Sequence, residues 1–166
     1  MFSQLLTDNC KKIKDEKGWK STSRIIGEAI EDYVTTIPCP ICSEKALIKY
    51  KTNQKSKDVK CEKCSSQIQI KAKKHIKKQL TSLKLLGAEY KTTCSSIKEN
   101  NVHYLVLMYS VVGDKYNINN IYFIDHADIN DSCIISRNPL SSTAKRAGWQ
   151  GCILVFNKFK SINVPI

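Results

Sequence analysis

Apolar residues recur at helical spacing through Ile25, Ile26, Ala29, Ile30, Tyr33 and Val34, with Ser21-Thr22-Ser23 standing where a cap belongs. The spacing predicts a helix whose polar face offers Glu28, Glu31 and Asp32, closed by Pro38 and Pro40. Before it, Phe2, Leu5, Leu6 and Ile13 lie scattered among charges and suggest one weak amphipathic helix. After it the period falls to two. Residues 46–50 read as a short strand, 52–57 as a polar turn and 58–60 as extended chain. From Gln67 to Ala72 the alternation is strict, with Ile68, Ile70 and Ala72 on one face and Gln67, Gln69 and Lys71 on the other. Leu80, Leu83, Leu85, Leu86 and Ile97 are read as helical material around Gly87, ending near Asn100 and Asn101. Val102 to Val112 is almost continuously apolar, the pattern of a central strand buried on both faces. Residues 121–124 and 152–156 are further strands, with turns over 128–136, a compact polar stretch over 137–149 and a docking strand or linker over 158–166. Helices and strands in this order predict a small mixed α/β (α+β) domain around a central sheet, spanning 1–166 as one domain.

The cysteines sharpen that picture. Cys39-Pro-Ile-Cys42, eighteen intervening residues, then Cys61-Glu-Lys-Cys64 is the spacing of a four-cysteine zinc ribbon. Each pair turns two sulfurs toward one ion, and two pairs complete a tetrahedron. Four thiolates leave no position open for water, so the zinc expected over 39–64 is structural and non-catalytic. The other four, Cys10, Cys94, Cys133 and Cys152, are solitary and read as free, buried thiols. Tight pairs in a chain whose first twenty residues lack an apolar core favour metal and a reducing, cytoplasmic setting over a disulfide framework. No apolar run approaches the length of a membrane span.

Charge then points to a partner. The formal net charge is +12, and residues 1–87 hold 19 lysines and arginines against 9 acids, where residues 88–166 hold 8 against 6. Such clustering suits a polyanion, nucleic acid before membrane, while a solubility surface is the plainer alternative. Lys71, Lys73, Lys74, Lys77 and Lys78 form the densest basic patch.

Asp58, Gln69 and Lys71 bracket the second cysteine pair. Gln69 and Lys71 are two apart on a strand and share a face, and the knuckle turns the chain so that Asp58 returns beside them. Phosphodiester hydrolysis needs a divalent ion on oxygen ligands and a cation near the attacking water or the phosphate, roles these residues suit. Glu28, Glu31 or Asp32 would add an outer oxygen. On residues alone the set reads sooner as a solvated polar edge than as a site. Near the C-terminus, Thr143, Lys145 and Arg146 are donors suited to phosphates or base edges. Trp149, between Gly148 and Gly151, reads either as a stacking or methyl-contacting indole or as a core anchor for the last strand. Trp19 reads as core. His75 is expected to face solvent or a polyanion, and neither His103 nor His126 is placed to bind zinc.

These residues resemble the PD-(D/E)XK nucleases, and within them the methyl-directed restriction endonucleases of the DpnI type. Asp58, Cys61, Cys64, Gln69 and Lys71 are similar to that group's aspartate, knuckle and glutamate-x-lysine. Cys39-Pro40-Ile41-Cys42 resembles the first half of its zinc element, and Gly87-Ala88 with the following helix is similar too. The most specific likeness is Asn138-Pro-Leu-Ser-Ser-Thr143-Ala-Lys-Arg146-Ala-Gly-Trp149-Gln-Gly-Cys152. The resemblance implies a restriction-endonuclease-like core with an inserted zinc ribbon. It implies magnesium-dependent cleavage of double-stranded DNA at GATC-like sites carrying N6-methyladenine, the activity of a type II site-specific deoxyribonuclease. Asp58, Gln69 and Lys71 would be catalytic, with Asp58 and Gln69 on the magnesium; Lys73, Lys74, Lys77, Lys78, Thr143, Lys145, Arg146 and Trp149 would meet DNA. The protein would act as a monomer or weak dimer. Two departures stand out. Glutamine occupies the family's glutamate position, and the C-terminal winged-helix domain of longer members is not expected within these 166 residues. A weak or inactive module that binds methylated DNA without cutting it is the alternative, and RNA binding through the ribbon rests on charge alone.

Overall fold

The computed structural model describes residues 2–54, 57–75, 80–156 and 160–161. In chain order the elements are α1 (Phe2–Lys17), α2 (Thr22–Val34), β1 (Leu47–Gln54), β2 (Lys57–Cys61), β3 (Gln67–Lys74), β4 (Ser82–Leu85), α3 (Tyr90–Glu99), β5 (Val102–Val112) and β6 (Lys115–Ile124). Short 3-10 turns at His126–Asp128 and Asp131–Cys133 precede β7 (Ile134–Ser136), β8 (Cys152–Val155) and β9 (Lys160–Ser161). The chain divides into two compact units, the first built from 1–75, 102–124 and 160–166, the second from 76–101 and 125–159.

The first unit is a six-stranded sheet in the order β1-β2-β3-β5-β6-β9 with α1 and α2 packed on it. Every pairing is antiparallel except β3 with β5, which run parallel from Gln67↔Val102 to Lys74↔Tyr109. A parallel pair cannot be joined by a hairpin, and residues 76–101, carrying β4 and α3, make the crossover. On one face Val59, Ile68, Ile70, Leu105, Leu107, Ile121 and Phe123 meet Leu6, Cys10 and Ile13 of α1 and Ile26, Ala29, Ile30 and Tyr33 of α2 in one continuous core. The amphipathic helix expected over the first nineteen residues is α1, Phe2–Lys17. Its stripe is Leu6, Cys10 and Ile13, three residues at i, i+4 and i+7, of which the cysteine does not announce itself as apolar. Ser21 occupies the N-cap position of α2, but its hydroxyl makes no capping bond. Trp19 is half-buried against this core, with the Arg24 guanidinium 3.7 Å over its ring. Strand β5 is buried at Val102 and from Tyr104 to Met108, as a strand covered on both faces must be.

The second unit is a three-stranded antiparallel sheet, β4-β8-β7, with α3. Here one sequence expectation fails. The leucines at 80, 83 and 85 do not begin a helix: Leu83 and Leu85 alternate inward on β4, opposite Leu154 and Cys152 of β8. A short leucine run satisfies both periods, and the pairing with β8, nearly seventy residues away in sequence, decides between them. The helical material expected around Gly87 begins only at Tyr90 and runs to Glu99, with Asn100 as its C-cap. In place of the loop or single turn expected over 128–136, the chain makes two 3-10 turns, at 126–128 and 131–133, and then the edge strand β7. Of the docking strand or linker expected over 158–166, Lys160–Ser161 pairs with Phe123 and Tyr122 of β6, and the rest lies outside the described residues.

Candidate functional site

The two cysteine pairs fold into matched knuckles. The Cys39 carbonyl accepts from Ser43 N–H at 2.8 Å, and the Cys61 carbonyl accepts from Ser65 N–H at 3.0 Å. Each turn closes when Cys39 N–H donates to the Glu44 carbonyl and Cys61 N–H to that of Ser66. Ser43 and Ser65 adopt left-handed backbone, φ 63° and 59°, which reverses the chain after each second cysteine. Glu62 N–H donates to the Ala46 carbonyl and ties the knuckles together. The four Sγ atoms lie within 4.8 Å of one another, with Cys39–Cys64 at 3.8 Å and Cys42–Cys61 at 3.6 Å. A tetrahedral zinc with bonds of about 2.3 Å requires sulfurs about 3.8 Å apart, so the cluster fits that ion. Burial pushes the Cys39 thiol up to about 12. At Cys64 burial also opposes ionisation, but the Ser66 hydroxyl and N–H and the thiols of Cys61 and Cys42 outweigh it and bring the group to about 6. Of the two, Cys64 gives up its proton the more readily, and a bound metal would favour the thiolate at all four.

Beyond the knuckle, β2 and β3 pair through Lys60↔Gln67 and Val59↔Ile68. One step further the ladder gives way to a side chain: Asp58 Oδ2 accepts from Ile70 N–H at 2.6 Å. Carrying the register on sets Asp58 across from Gln69, and strand alternation puts Lys71 on the same face. Along β5, Gln69 stands beside Tyr104 and Lys71 beside Val106, both fully buried. These apolar neighbours explain the electrostatics. Burial raises the Asp58 carboxyl above its ordinary range, against the pull of the Ile70 N–H and the Lys71 and Lys49 ammoniums. Burial likewise depresses Lys71, with Asp58 acting the other way.

The helix contributes unequally. Glu28, Glu31 and Asp32 sit at i, i+3 and i+4 and share a face of α2. Lys49 of β1 meets all three, at 2.9, 3.2 and 3.0 Å. Glu28 is shared with Lys17 at 2.9 Å, and although burial disfavours its charge, these two bonds hold its carboxyl below the usual range. Glu31 differs. Burial and the nearby Asp58 charge push its carboxyl up, and its own charge is felt at Lys71. Among the three acids, the interactions described single out Glu31 as the neighbour of Asp58 and Lys71. Lys49 escaped the sequence reading because a lone lysine in an alternating strand is indistinguishable from a solvated one. The left-handed serines had a signal, since both cysteine pairs read Cys-x-x-Cys-Ser.

Of the basic residues, Lys73 is half-buried and Lys74 exposed on β3, while Lys77 and Lys78 lie outside the described residues. In the second unit the stretch 137–149 is a closed loop. Leu140 N–H donates to the Trp149 carbonyl at 2.8 Å and Gly148 N–H to the Leu140 carbonyl at 3.1 Å, clasping its ends. Thr143, Lys145 and Arg146 are exposed on it. Trp149 is 37% exposed, with the Arg146 guanidinium 4.7 Å over its ring, so it is not a core anchor. The four solitary cysteines are free thiols; Cys10 and Cys152 are buried, while Cys94 and Cys133 are only partly so.

The chain thus combines a mixed α/β architecture, a central sheet flanked by helices and a compact four-cysteine cluster suited to zinc. Residues 9–163 match the family described as "DpnI: Dam-replacing family", and the chain belongs to it. The membership is consistent with the broader PD-(D/E)XK-related nucleases and supports a general nuclease-like, DNA-binding function.

Proposed function

We propose that this chain is a magnesium-dependent endonuclease of the type II, methyl-directed kind. It would hydrolyse double-stranded DNA at GATC-like sites that carry N6-methyladenine, as one nuclease domain over 1–166, a monomer or weak dimer in the cytoplasm. The observation that carries the reading is that the β2–β3 register brings Asp58 and Lys71 to one face of the sheet, each desolvated and each within the other's field. Surface ion pairs seldom carry opposed burial shifts of this kind, whereas reactive sites do. Two oxygens, the Asp58 carboxylate and the Gln69 amide, with the Glu31 carboxylate nearby, are donors that magnesium accepts. The ion, when bound, supplies Lewis-acid stabilisation of charge on the phosphate. Lys71, with its depressed proton affinity, orients the attacking water and offsets phosphate charge. Asp58 holds β3 through Ile70 N–H while presenting its second oxygen. Lys73, Lys74, Lys77, Lys78, Lys145 and Arg146 neutralise the backbone, Thr143 donates to it, and the Arg146-capped Trp149 meets a base or its methyl group.

One observation favours a second reading. Gln69 brings no charge, so a chain that binds methylated DNA with little cleavage is the alternative. The test is incubation of the zinc-loaded protein with adenine-methylated and unmethylated plasmid, with magnesium or EDTA. Cuts that need magnesium and methylation, and that Lys71→Ala abolishes, support the enzyme; retention of methylated DNA without cuts supports the module.

A further inference from the structure

We propose that Lys49 is the internal counter-cation of this site and sets the concentration of divalent ion at which it fills. The inference rests on the reading of Asp58 as an ion ligand and concerns a residue which that reading leaves without a role. An ammonium has three N–H donors, and Lys49 is within 3.2 Å of three carboxylates, those of Glu28, Glu31 and Asp32. With 28% of its side chain exposed, it is not a dangling surface cation. Burial alone would lower its proton affinity, but the three acids win and hold it above the ordinary lysine range, so it stays charged. The strand register sets it opposite Val59, the residue next to Asp58 on β2, and its field reaches that carboxyl.

The three contacts are not equivalent. Glu28 has a second cation, Lys17, and keeps a partner if Lys49 is taken away. Glu31 carries the Asp58 charge as a neighbour and has Lys49 as its described ion-pair partner. A divalent ion held by Asp58 and a Lys49 ammonium therefore draw on the same carboxylate, Glu31, and repel one another. Lys49 keeps the acids of α2 gathered and compensated when no ion is bound, and the ion must compete with it. The electrostatic consequence has a sign: removing the ammonium strengthens ion binding, and restoring any fixed cation weakens it again.

The test measures magnesium affinity by titration calorimetry on the zinc-loaded protein without DNA, with thermal melting run in parallel. Lys49→Gln is expected to tighten magnesium binding about fivefold or more, the size of one close charge in a partly solvated site. Lys49→Arg keeps the charge and should stay within about twofold of the parent. In a Glu31→Gln background the same Lys49→Gln change should have little effect, because the shared carboxylate is gone. Equal or weaker magnesium binding in a folded Lys49→Gln protein overturns the inference and leaves the nuclease reading standing. So does a lower melting temperature with no change in ion affinity, which marks Lys49 as structural only. No magnesium binding by the parent protein overturns the metal-dependent reading itself, and this inference with it.

Discussion

At Asp58 the fold works against the charge that the proposed chemistry uses. Its carboxyl is raised by burial, so the neutral form is the better-tolerated one in the folded chain. The sign follows: a raised acid is no burden below the unfolded pKa and destabilises as pH rises through the folded value. Asp58→Asn keeps an oxygen for Ile70 N–H and removes the charge. It should melt higher than the parent at neutral pH, with the gain fading toward pH 4, as a melting series across pH would read. The same change should abolish magnesium-dependent cleavage. Gln69→Glu tests the neutral amide: a second carboxylate should lower the magnesium needed for half-maximal cleavage by about tenfold, roughly 1.4 kcal/mol. An unchanged magnesium requirement would show that Gln69 is not an ion ligand.

The elements carry two devices whose loss is predictable. In the knuckles, metal binding is folding free energy, on the order of 10 kcal/mol for isolated zinc modules. Cys61→Ser, or prolonged chelation, should therefore release the register that sets Asp58 opposite Gln69. Circular dichroism and zinc release would show both lost together. In the second unit, Gly151 has φ +65°, and a Cβ there would meet the Leu85 carbonyl and lie 2.6 Å from Gly87 N. Gly151→Ala combines left-handed strain with a backbone clash and should cost upward of about 2 kcal/mol in denaturant unfolding. This close passage explains the glycine at 151: the loop that exposes Thr143 and Arg146 returns to β8 directly across the backbone of 85–87.

For the whole molecule, the bias of basic residues toward the first 87 positions matters through counterions rather than through the fold. DNA binding measured with calcium or without a divalent ion should weaken linearly in log salt. Replacing by glutamine, one at a time, the lysines proposed to meet phosphate, Lys73, Lys74 and Lys145, should each reduce the slope by about one. An unaltered slope would remove that residue from the interface. Among the described residues no helix is long and apolar enough to cross a membrane.

Local pattern settled much of this protein. The alternation through Gln67 to Lys71 gave a strand and its two faces, because side-chain direction in a strand depends only on parity. The doubled Cys-x-x-Cys gave a four-cysteine cluster suited to zinc, because the geometry of one tetrahedral ion restricts spacing so tightly. The apolar run from Val102 to Met108, rich in β-branched and aromatic residues, gave the central strand, since a strand covered on both sides buries successive positions alike. What local pattern left open was settled by partners distant in sequence. The leucines of 80–85 became a strand because β8 supplied a ladder, and Trp149 lies outside the core because a loop clasped at Leu140 holds it there. Lys49 became the centre of three acids, and Glu31 rather than Glu28 or Asp32 the neighbour of Asp58, only when α2 packed across the sheet. Burial and charge at a point are sums over neighbours in space, and the neighbours that decide them here are brought together only by folding.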